Sequence, residues 1–332
     1  MAANIDTFAS LRLPVWHGLG TVIDSPVSPL EFQSIAGLDW TVSLEELAHN
    51  MIETAGLENY RAVVRSDNRT ALGVVGKEYA PVQNCEMFAF LNDLREFDLD
   101  LVVETAGALG RGETVWALAK VPALGFALGA DAVETFLLVS NGHAGNRRLT
   151  VTPTTIRVVC QNTLGAAMGE RKGKVGLAHG WDLKHTKGVQ DRLAQAKGIL
   201  SETFAAVATT KEIAARMADK VATFATVEEI ARKVWGEVPA LKEGKNANKG
   251  RTIALDRLAD LERIWLSPTS NVSGTAGTVW AAFNAVTEWC EHESIVRAGN
   301  YTQAESRFIG NLLGGSASTF KEEAFSYALT LV

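Results

Sequence analysis

The sequence predicts an α+β fold, in which a mostly antiparallel sheet with packed helices is followed by a helical C-terminal half. Five short β-rich runs lie between residues 99 and 160, and the chain has a helical pattern after Cys160. With 47% hydrophobic and 21% charged residues, the composition is that of an ordinary globular protein. These changes of pattern divide the chain into an irregular N-terminal arm at 1–42, an α+β sheet domain at 43–178 and a helical region packed on it at 179–332.

The first hundred residues hold three local signals. Scattered proline and glycine predict irregular structure over 1–42. A capping box that opens with Ser-Leu-Glu-Glu predicts a helix over 43–54. Two apolar runs around an Asp-Asn-Arg turn predict a β-hairpin over 60–76, and Asn84 is placed to cap a helix over 85–95.

The predicted sheet is an antiparallel meander, because its runs are short, closely spaced and separated by glycine-rich turns. Gly107 inside the first run indicates a bulge or a close backbone approach, and Pro153 suits an edge or a bend. The five predicted strands cover residues 99–109, 113–122, 131–141, 147–153 and 154–160.

The C-terminal half has amphipathic helical spacing throughout, and capping boxes at Thr209 and Thr226 predict two of its helix starts. The predicted helices cover 183–208, 211–222, 227–235, 251–266, 276–296, 301–313 and 318–330.

The sequence shows no signal for a membrane or for export. No apolar run reaches the ~18 residues that a membrane span needs, and the first residues lack a basic segment followed by an apolar one. Cys85, Cys160 and Cys290 are far apart, which is typical of reduced thiols. We therefore expect a cytoplasmic protein.

The charge is distributed unevenly along the chain. Its net value is −6, and residues 1–100 hold 6 basic against 15 acidic side chains. Residues 141–200, however, hold 10 basic against 3 acidic side chains. Such a concentration is typical of a local anion-binding surface, although a merely solvated face has the same composition.

The sequence does not indicate an enzyme. It contains no phosphate-binding loop and no HExxH, GxSxG or CxxC motif, so we expect no cofactor and no metal. Glu288 and His292 are spaced to share a helix face and could ligate a metal together, but two ligands are too few for a site. A hydrogen-bonded stripe against a neighbouring element is the favoured interpretation of that face.

The stretch RVVCQNTLGAAM at 157–168 joins a β-rich run to a helix-like run. Asn162 or Thr163 can cap a helix that begins at Leu164. A helix N-terminus also offers free N–H groups to an anion, and the amides of Gln161 and Asn162 add donors. Capping alone and capping combined with anion contact both explain these residues.

The segment NGHAGNRR at 141–148 has the composition of a hairpin tip. Asn and Gly suit the backbone of a solvated turn. The alternative is functional, since Arg147 and Arg148 on a protruding loop would be placed to contact phosphate or a partner.

Four blocks of the chain resemble a known family. TAGALGRGETVWALAKVP (105–122), LLVSNGHAG (137–145), RVVCQNTLGAA (157–167) and GTVWAAFNAVTEWCEH (277–292) are similar to the blocks of the phage/plasmid-like protein family, domain of unknown function 932. The resemblance implies a phage, plasmid or prophage setting in a bacterial host and brings no established activity. The family has Asn-Ser-His-Asp-Gly-Ser at the hairpin tip, and the acid is missing here, which argues against a metal or acid–base role for the tip.

We expect a mobile-element protein that binds single-stranded DNA in recombination or replication, as a homo-oligomer, by annealing rather than catalysis. The order of meander, helix and basic helical segment resembles that of phage single-strand annealing proteins. Arginine and lysine would contact phosphates, and Trp181 or His185 would stack on bases. The alternative is a protein-interaction or host-interference factor, which the acidic first third favours. The residues expected to contact DNA are Arg147, Arg148, Arg157, Gln161, Asn162, Arg171, Lys172, Lys174, Trp181, Lys184, His185 and Lys187.

Overall fold

A mostly antiparallel sheet in the N-terminal half and helices in the C-terminal half confirm the α+β prediction. The structure, a computed structural model, describes residues 5–11, 20–47, 57–96, 100–157, 162–163, 181–183, 185, 199–243, 248–294 and 316–332.

The main sheet has nine strands within these ranges. They are β1 (Ile5–Ser10), β2 (Thr21–Val22), β6 (Val102–Leu109), β7 (Thr114–Lys120), β8 (Phe126–Leu128), β9 (Asp131–Gly142), β10 (Leu149–Arg157), β11 (Asn162–Thr163) and β12 (Trp181–Leu183). Their order is β11-β10-β9-β7-β6-β1-β2, with β12 also pairing β10 and β8 pairing β9. Only the β1–β2 pair among them is parallel.

A smaller sheet has the order β3-β4-β5 and consists of β3 (Val42–Glu46), β4 (Tyr60–Arg65) and β5 (Ala71–Gly76). Helices α1 (Pro29–Ile35) and α2 (Asn84–Glu96) pack against each other and close the same core. The β4–β5 hairpin and α2 were both predicted from the sequence and are confirmed.

The C-terminal half is helical, as predicted. Its described helices are α3 (Ile199–Asp219), α4 (Phe224–Trp235), α5 (Lys249–Trp265), α6 (Val279–Glu288) and α7 (Ser316–Leu329), and a π-helical turn at Trp289–Glu293 extends α6. They share one apolar core, which reaches the sheet through Phe126 and Val133. The predicted helix over 301–313 lies outside the described residues.

Side-chain alternation along the central strands serves two cores. Val115, Ala117 and Ala119 face the core under α1 and α2. Trp116 and Leu118 point to the opposite face of the sheet and pack in a second cluster. Because successive side chains of a strand point to opposite faces, the continuous burial of β7 from Thr114 to Ala119 shows that it is covered on both faces.

The helix predicted over 43–54 is wrong for its first residues, which form β3. The Ser-x-x-Glu pattern does not cap a helix there, because the backbone from Val42 to Glu46 pairs antiparallel with β4. Both carboxylate oxygens of Glu45 instead accept hydrogen bonds from Arg69, at 2.7 and 2.8 Å. Tertiary strand pairing overrides a weak local preference.

The irregular arm predicted over 1–42 contains three regular elements, β1, β2 and α1. Strand β1 pairs antiparallel with β6, and Phe8 and Ala9 are buried on opposite faces of the sheet. Helix α1 begins with Pro29 after Ser28, whose hydroxyl accepts from the Glu31 N–H. The proline that predicts irregular structure therefore starts a helix.

The helix start predicted at Thr209 is also wrong, since α3 continues through this position. The Thr209 hydroxyl donates to the Ala205 carbonyl one turn earlier and so does not accept from the backbone as a cap would. The runs predicted as strands at 147–153 and 154–160 form one strand, β10, as far as Arg157. Pro153 pairs with Leu137 of β9, and the pairs with β11 and β12 leave 152–155 without a second partner in the described ranges.

Candidate functional site

The hairpin tip between β9 and β10 is folded against the small sheet. A Cβ on Gly73 of β5 would lie 2.6 Å from the Ala144 carbonyl oxygen, and a Cβ on Gly145 would lie 2.6 Å from Val75 Cγ1. Such contacts are sterically excluded, so the close approach requires glycine on both sides. The prediction of a protruding loop is therefore wrong for residues 143 and 144, although Arg147 and Arg148 are exposed.

Asn84 holds the tip to the first residues of α2. Its side-chain Nδ2 donates to the carbonyls of Leu38 and Trp40, at 3.2 and 3.1 Å. Its Oδ1 therefore faces His143 Nε2, at 2.9 Å, as an acceptor. Both residues are fully buried, and Asn84 does not cap the helix as predicted.

These bonds fix the protonation of His143. Because Asn84 Oδ1 can only accept, the Nε2 of His143 must carry the hydrogen. In the neutral ring Nδ1 is then a bare acceptor, and it has no partner among the described residues. The His143 backbone N–H donates to the Glu113 carbonyl at 2.8 Å, which ties the tip to β7.

Arg65 lies behind this histidine and is also buried. Its guanidinium contacts both carboxylate oxygens of Asp67, at 2.8 and 2.9 Å, and donates to Asp6 and to the Arg111 carbonyl. The same group lies 4.3 Å from the centre of the Trp40 ring. Burial alone would lower the Arg65 pKa, but the hydrogen bonds and charges of Asp67 and Asp6 raise it.

Trp40 contacts both the charged Arg65 and the neutral His143. Its ring meets that of His143 edge-on, with centroids 5.3 Å apart. Burial lowers the pKa of His143 to about 3, and the charges of His185 and Arg65 act in the same direction. His143 is therefore a neutral structural group at physiological pH.

A second histidine is held on the other side of the tip. The Val82 N–H donates to His185 Nδ1 at 3.3 Å, and the Ala80 N–H donates to the His185 carbonyl at 3.1 Å. The ring stacks on Tyr79 with centroids 5.0 Å apart. Since Nδ1 accepts, the hydrogen of the neutral ring lies on Nε2, which is buried without a partner in the described part of the chain.

Burial also sets the protonation of this second group. It lowers the pKa of His185 to about 4 and raises that of Tyr79. The Tyr79 hydroxyl donates to the Gly142 carbonyl at 3.0 Å. Asn141 also bonds to this segment, because its Nδ2 donates to the Val82 carbonyl at 2.8 Å. We call this buried, hydrogen-bonded group around the tip the frame. One short segment of chain, from Tyr79 to Asn84, therefore anchors the tip and His185 together.

A pocket of about 280 Å³ opens beside this frame. The lining residues in the described ranges are Tyr79, Gly145, Asn146, Arg147, Arg148 and His185, and the rings of Tyr79 and His185 stack on each other. Two guanidinium groups and a buried neutral N–H donor are groups that favour an anion.

Three of the residues predicted to contact DNA therefore meet at one pocket: Arg147, Arg148 and His185. Trp181 lies in β12 opposite Val151, so its backbone is at the same end of β10 as Arg148. The expectation that His185 stacks on bases is wrong, because the residue is only 6% exposed and its ring stacks on Tyr79.

Other predicted residues lie elsewhere. Arg157 pairs with Asn162 of β11 at the far end of β10. It lies about 25 Å along the strand from Leu149, the first residue of β10. Asn162 and Thr163 form β11, and the helix that they were predicted to cap, from Leu164 onward, lies outside the described residues. Gln161, Arg171, Lys172, Lys174, Lys184 and Lys187 lie outside the described residues.

Sequence reasoning missed Tyr79, Val82, Asn84 and Asn141 as members of the site. Asn84 gave a signal, since it precedes a helix, but that signal predicts a cap rather than a tertiary bond. For Val82 the contribution is a backbone N–H, which no side-chain pattern can reveal.

The described residues contain no cluster of three or more His, Cys, Asp or Glu that could hold a metal. Glu288 is the last residue of α6, and His292 lies within the π-helical turn that follows it. Burial raises the pKa of Cys290 to about 12, which makes its thiol a poor nucleophile.

The stripe on α6 does bond to its neighbours, as the favoured interpretation expected. Trp280 Nε1 donates to Asp131 of β9 at 2.8 Å. The Thr269 hydroxyl donates to Glu288 at 3.0 Å.

None of the helices in the described ranges is long and apolar enough to cross a membrane.

The class of protein is thus an α+β fold with a buried polar frame beneath a small basic pocket. Residues 71–309 match the family described as a domain of unknown function, DUF932, and the chain belongs to that family. The matched range includes the lining residues of the pocket that the structure describes. No curated protein and no solved structure is detectably similar to the chain.

Proposed function

We propose that the protein binds single-stranded DNA through phosphate contacts at the pocket formed by Arg147, Arg148 and His185. The observation that supports this most is that these three residues, which the sequence predicted on separate grounds to contact DNA, line one cavity. Two guanidiniums bind phosphate oxygens in fixed, often bidentate geometry.

The pocket is rigidly supported, which suits a binding site. His185 is fixed by Val82 and Tyr79, and the tip that carries both arginines is fixed by the bonds of Asn84 and Glu113 to His143. Preorganised donors lose little conformational entropy when an anion arrives. The buried frame therefore contributes to affinity without touching the ligand.

The resemblance to phage and plasmid proteins suggests the biological setting. In this proposal the protein acts in recombination or replication of a mobile element, in the cytoplasm of a bacterial host. It would bind as a homo-oligomer and anneal strands without catalysis, since cooperative, salt-sensitive binding is typical of proteins that hold single strands.

The test is a titration of a fluorescently labelled oligo(dT) with wild-type protein and with Arg147→Ala/Arg148→Ala. We expect the double variant to bind at least about tenfold more weakly, because it lacks both guanidinium groups that bond to phosphate. Lys211→Ala/Lys249→Ala is the matched control, since it removes the same charge from two exposed helical positions away from the pocket.

Equal affinity of both double variants would refute the proposal. The absence of any oligonucleotide binding by the wild-type protein would favour the alternative, a protein-interaction or host-interference factor.

A further inference from the structure

We propose that Tyr60, on the outer face of the small sheet, stacks on a base of the bound DNA strand. This inference rests on the proposed binding of single-stranded DNA and adds a contact with a base to the phosphate contacts at the pocket. Stacking on an aromatic ring is a usual way of holding a single strand, and it accepts any base.

The first argument is the exposure of the ring. Tyr60 is 50% exposed, and it is the only exposed aromatic residue among those whose burial the structure describes. The other aromatic residues of that set are buried or partly buried. Because large aromatic side chains gain most from losing contact with water, a base that covers this ring would be stabilised by the same effect.

The second argument is the space around the ring. Tyr60 is directly opposite Gly76 in the β4–β5 pair, so both residues face the same side of the sheet. A Cβ on Gly76 would meet no neighbouring atom within 4 Å. The ring therefore does not fold over Gly76, and it remains accessible to a planar group.

The third argument is the distance to the pocket. Gly76 begins the turn that ends at Tyr79, because the Tyr79 N–H donates to the Gly76 carbonyl at 2.9 Å. Opposite residues of a strand pair have Cα atoms about 5 Å apart, and the first and fourth residues of a turn have Cα atoms less than about 7 Å apart. The Cα atoms of Tyr60 and Tyr79 thus lie within about 12 Å of each other. Since Tyr79 lines the pocket, a bound strand of a few nucleotides can reach both places.

The surroundings of Tyr60 favour a base over a phosphate or a protein. Glu58 lies two residues before Tyr60 and Glu78 lies two residues after Gly76, both exposed, and carboxylates disfavour a phosphate but not a neutral base. Tyr60 and Val74 are the exposed large apolar residues of this face in the described ranges. A specific protein interface buries about 1,200 Å² or more in total, whereas a base needs a single ring.

The experiment compares wild-type protein, Tyr60→Ala and Tyr60→Phe in titrations of labelled oligo(dT). Tyr60→Ala should bind at least about fivefold more weakly, which is the lower end of the effect of losing one stacked base. Tyr60→Phe keeps the ring and should restore most of the affinity. Leu266→Ala is the matched control, because it removes a 70% exposed apolar side chain at the end of α5.

A strand of the same length that consists of abasic tetrahydrofuran units tests the base directly, because it keeps every phosphate and has nothing to stack. Wild-type protein and Tyr60→Ala should bind this strand with equal affinity. The molar mass of each variant in solution, measured by light scattering, shows whether the substitution changes its assembly.

The outcomes separate the two proposals. Wild-type affinity of Tyr60→Ala for oligo(dT), together with weak binding by Arg147→Ala/Arg148→Ala, overturns the stacking contact and leaves the phosphate contacts intact. An equal loss on oligo(dT) and on the abasic strand also overturns it, because the ring would then act without a base. A changed molar mass of Tyr60→Ala with unchanged affinity per chain overturns it as well and makes this face a contact between copies of the chain. No binding of oligo(dT) by the wild-type protein overturns both proposals.

Discussion

At the scale of single residues, the site depends on two histidines whose ring protons are assigned by their neighbours. Asn84 makes Nε2 of His143 a donor, and Val82 makes Nδ1 of His185 an acceptor. Protonation would place a charge on a buried ring and, in His185, would also remove the acceptor that Val82 needs. Both buried rings therefore stabilise the fold only in their neutral form.

This arrangement predicts a loss of stability in mild acid. Burial lowers the pKa of His143 to about 3 and that of His185 to about 4, from 6.5. Below pH 6.5 the unfolded chain thus binds more protons than the folded one, and the free energy of unfolding falls as the pH falls towards these values. Each histidine contributes up to about 1.4 kcal/mol per pH unit in that window.

Urea unfolding at about pH 7 and about pH 5 measures this effect. His143→Gln should reduce the difference between the two conditions, whereas His292→Gln, at an exposed position, should keep it. A wild-type protein with the same stability at both pH values would contradict the assignment of the two neutral rings.

Asn84 also marks the limit of prediction from sequence at this scale. A residue of this type before an apolar helical run predicts the helix correctly, and α2 begins at Asn84. The amide is used differently, since its partners Leu38, Trp40 and His143 come from distant segments. No local pattern specifies such contacts.

At the scale of elements, the essential contact is the docking of the β9–β10 tip on β5. Gly73 lies under the Ala144 carbonyl, whereas a Cβ on Gly76 of the same strand would meet no neighbouring atom within 4 Å. The strand therefore provides a test position and a matched control on the same element.

Gly73→Ala should displace the tip, because the new Cβ would lie 2.6 Å from the Ala144 carbonyl oxygen, which can move only if the backbone of the tip moves with it. We expect a loss of roughly 1–3 kcal/mol in the free energy of unfolding and weaker oligonucleotide binding through misplaced Arg147 and Arg148. Gly76→Ala should change neither quantity appreciably. Thermal unfolding and the oligo(dT) titration of both variants check this, and equal behaviour of the two would show that the tip is not held at Gly73.

Elements differ in how well their sequence specifies them. The β4–β5 hairpin and the meander from β6 to β10 follow from turns and alternation, which are local properties. The residues of β3 have a local preference for a helix start, and only pairing with β4 makes them a strand. That pairing joins residues that are distant along the chain and is invisible to a local pattern.

At the scale of the whole molecule, the sheet and the helical half are joined at the start of β9. Asp131 is fully buried and accepts from Trp280 Nε1 at 2.8 Å and from the Thr275 hydroxyl at 3.4 Å. The Ala130 N–H donates to the Ser273 carbonyl at 2.8 Å beside them. These bonds connect the turn before β9 to the turn before α6.

Asp131→Ala should lower the free energy of unfolding by about 1–3 kcal/mol, because the buried indole N–H of Trp280 loses its acceptor. Asp131→Asn keeps an oxygen in this place and should cost less. Urea unfolding followed by tryptophan fluorescence measures both variants. An Asp131→Ala protein as stable as the wild type would mean that this junction does not stabilise the fold.

The fold class could be predicted at this scale because the hydrophobic period is about two residues in the runs from 99 to 160 and about 3.6 residues in most of the chain that follows. The site could be predicted only in part. Local charge density pointed to Arg147, Arg148 and His185, but it also selected Arg157, which the nine residues of β10 separate from the others. The charge density along a sequence does not show that two nearby basic residues lie at opposite ends of one strand.

The central claim is that Arg147 and Arg148 bind phosphates of single-stranded DNA, and its most direct test is the salt dependence of oligo(dT) binding. The logarithm of the affinity should fall linearly with the logarithm of the salt concentration. Arg147→Ala/Arg148→Ala should reduce the slope by about 1.4, or about 0.7 for each phosphate that is no longer neutralised. A double variant with the wild-type affinity and the wild-type slope would contradict the claim.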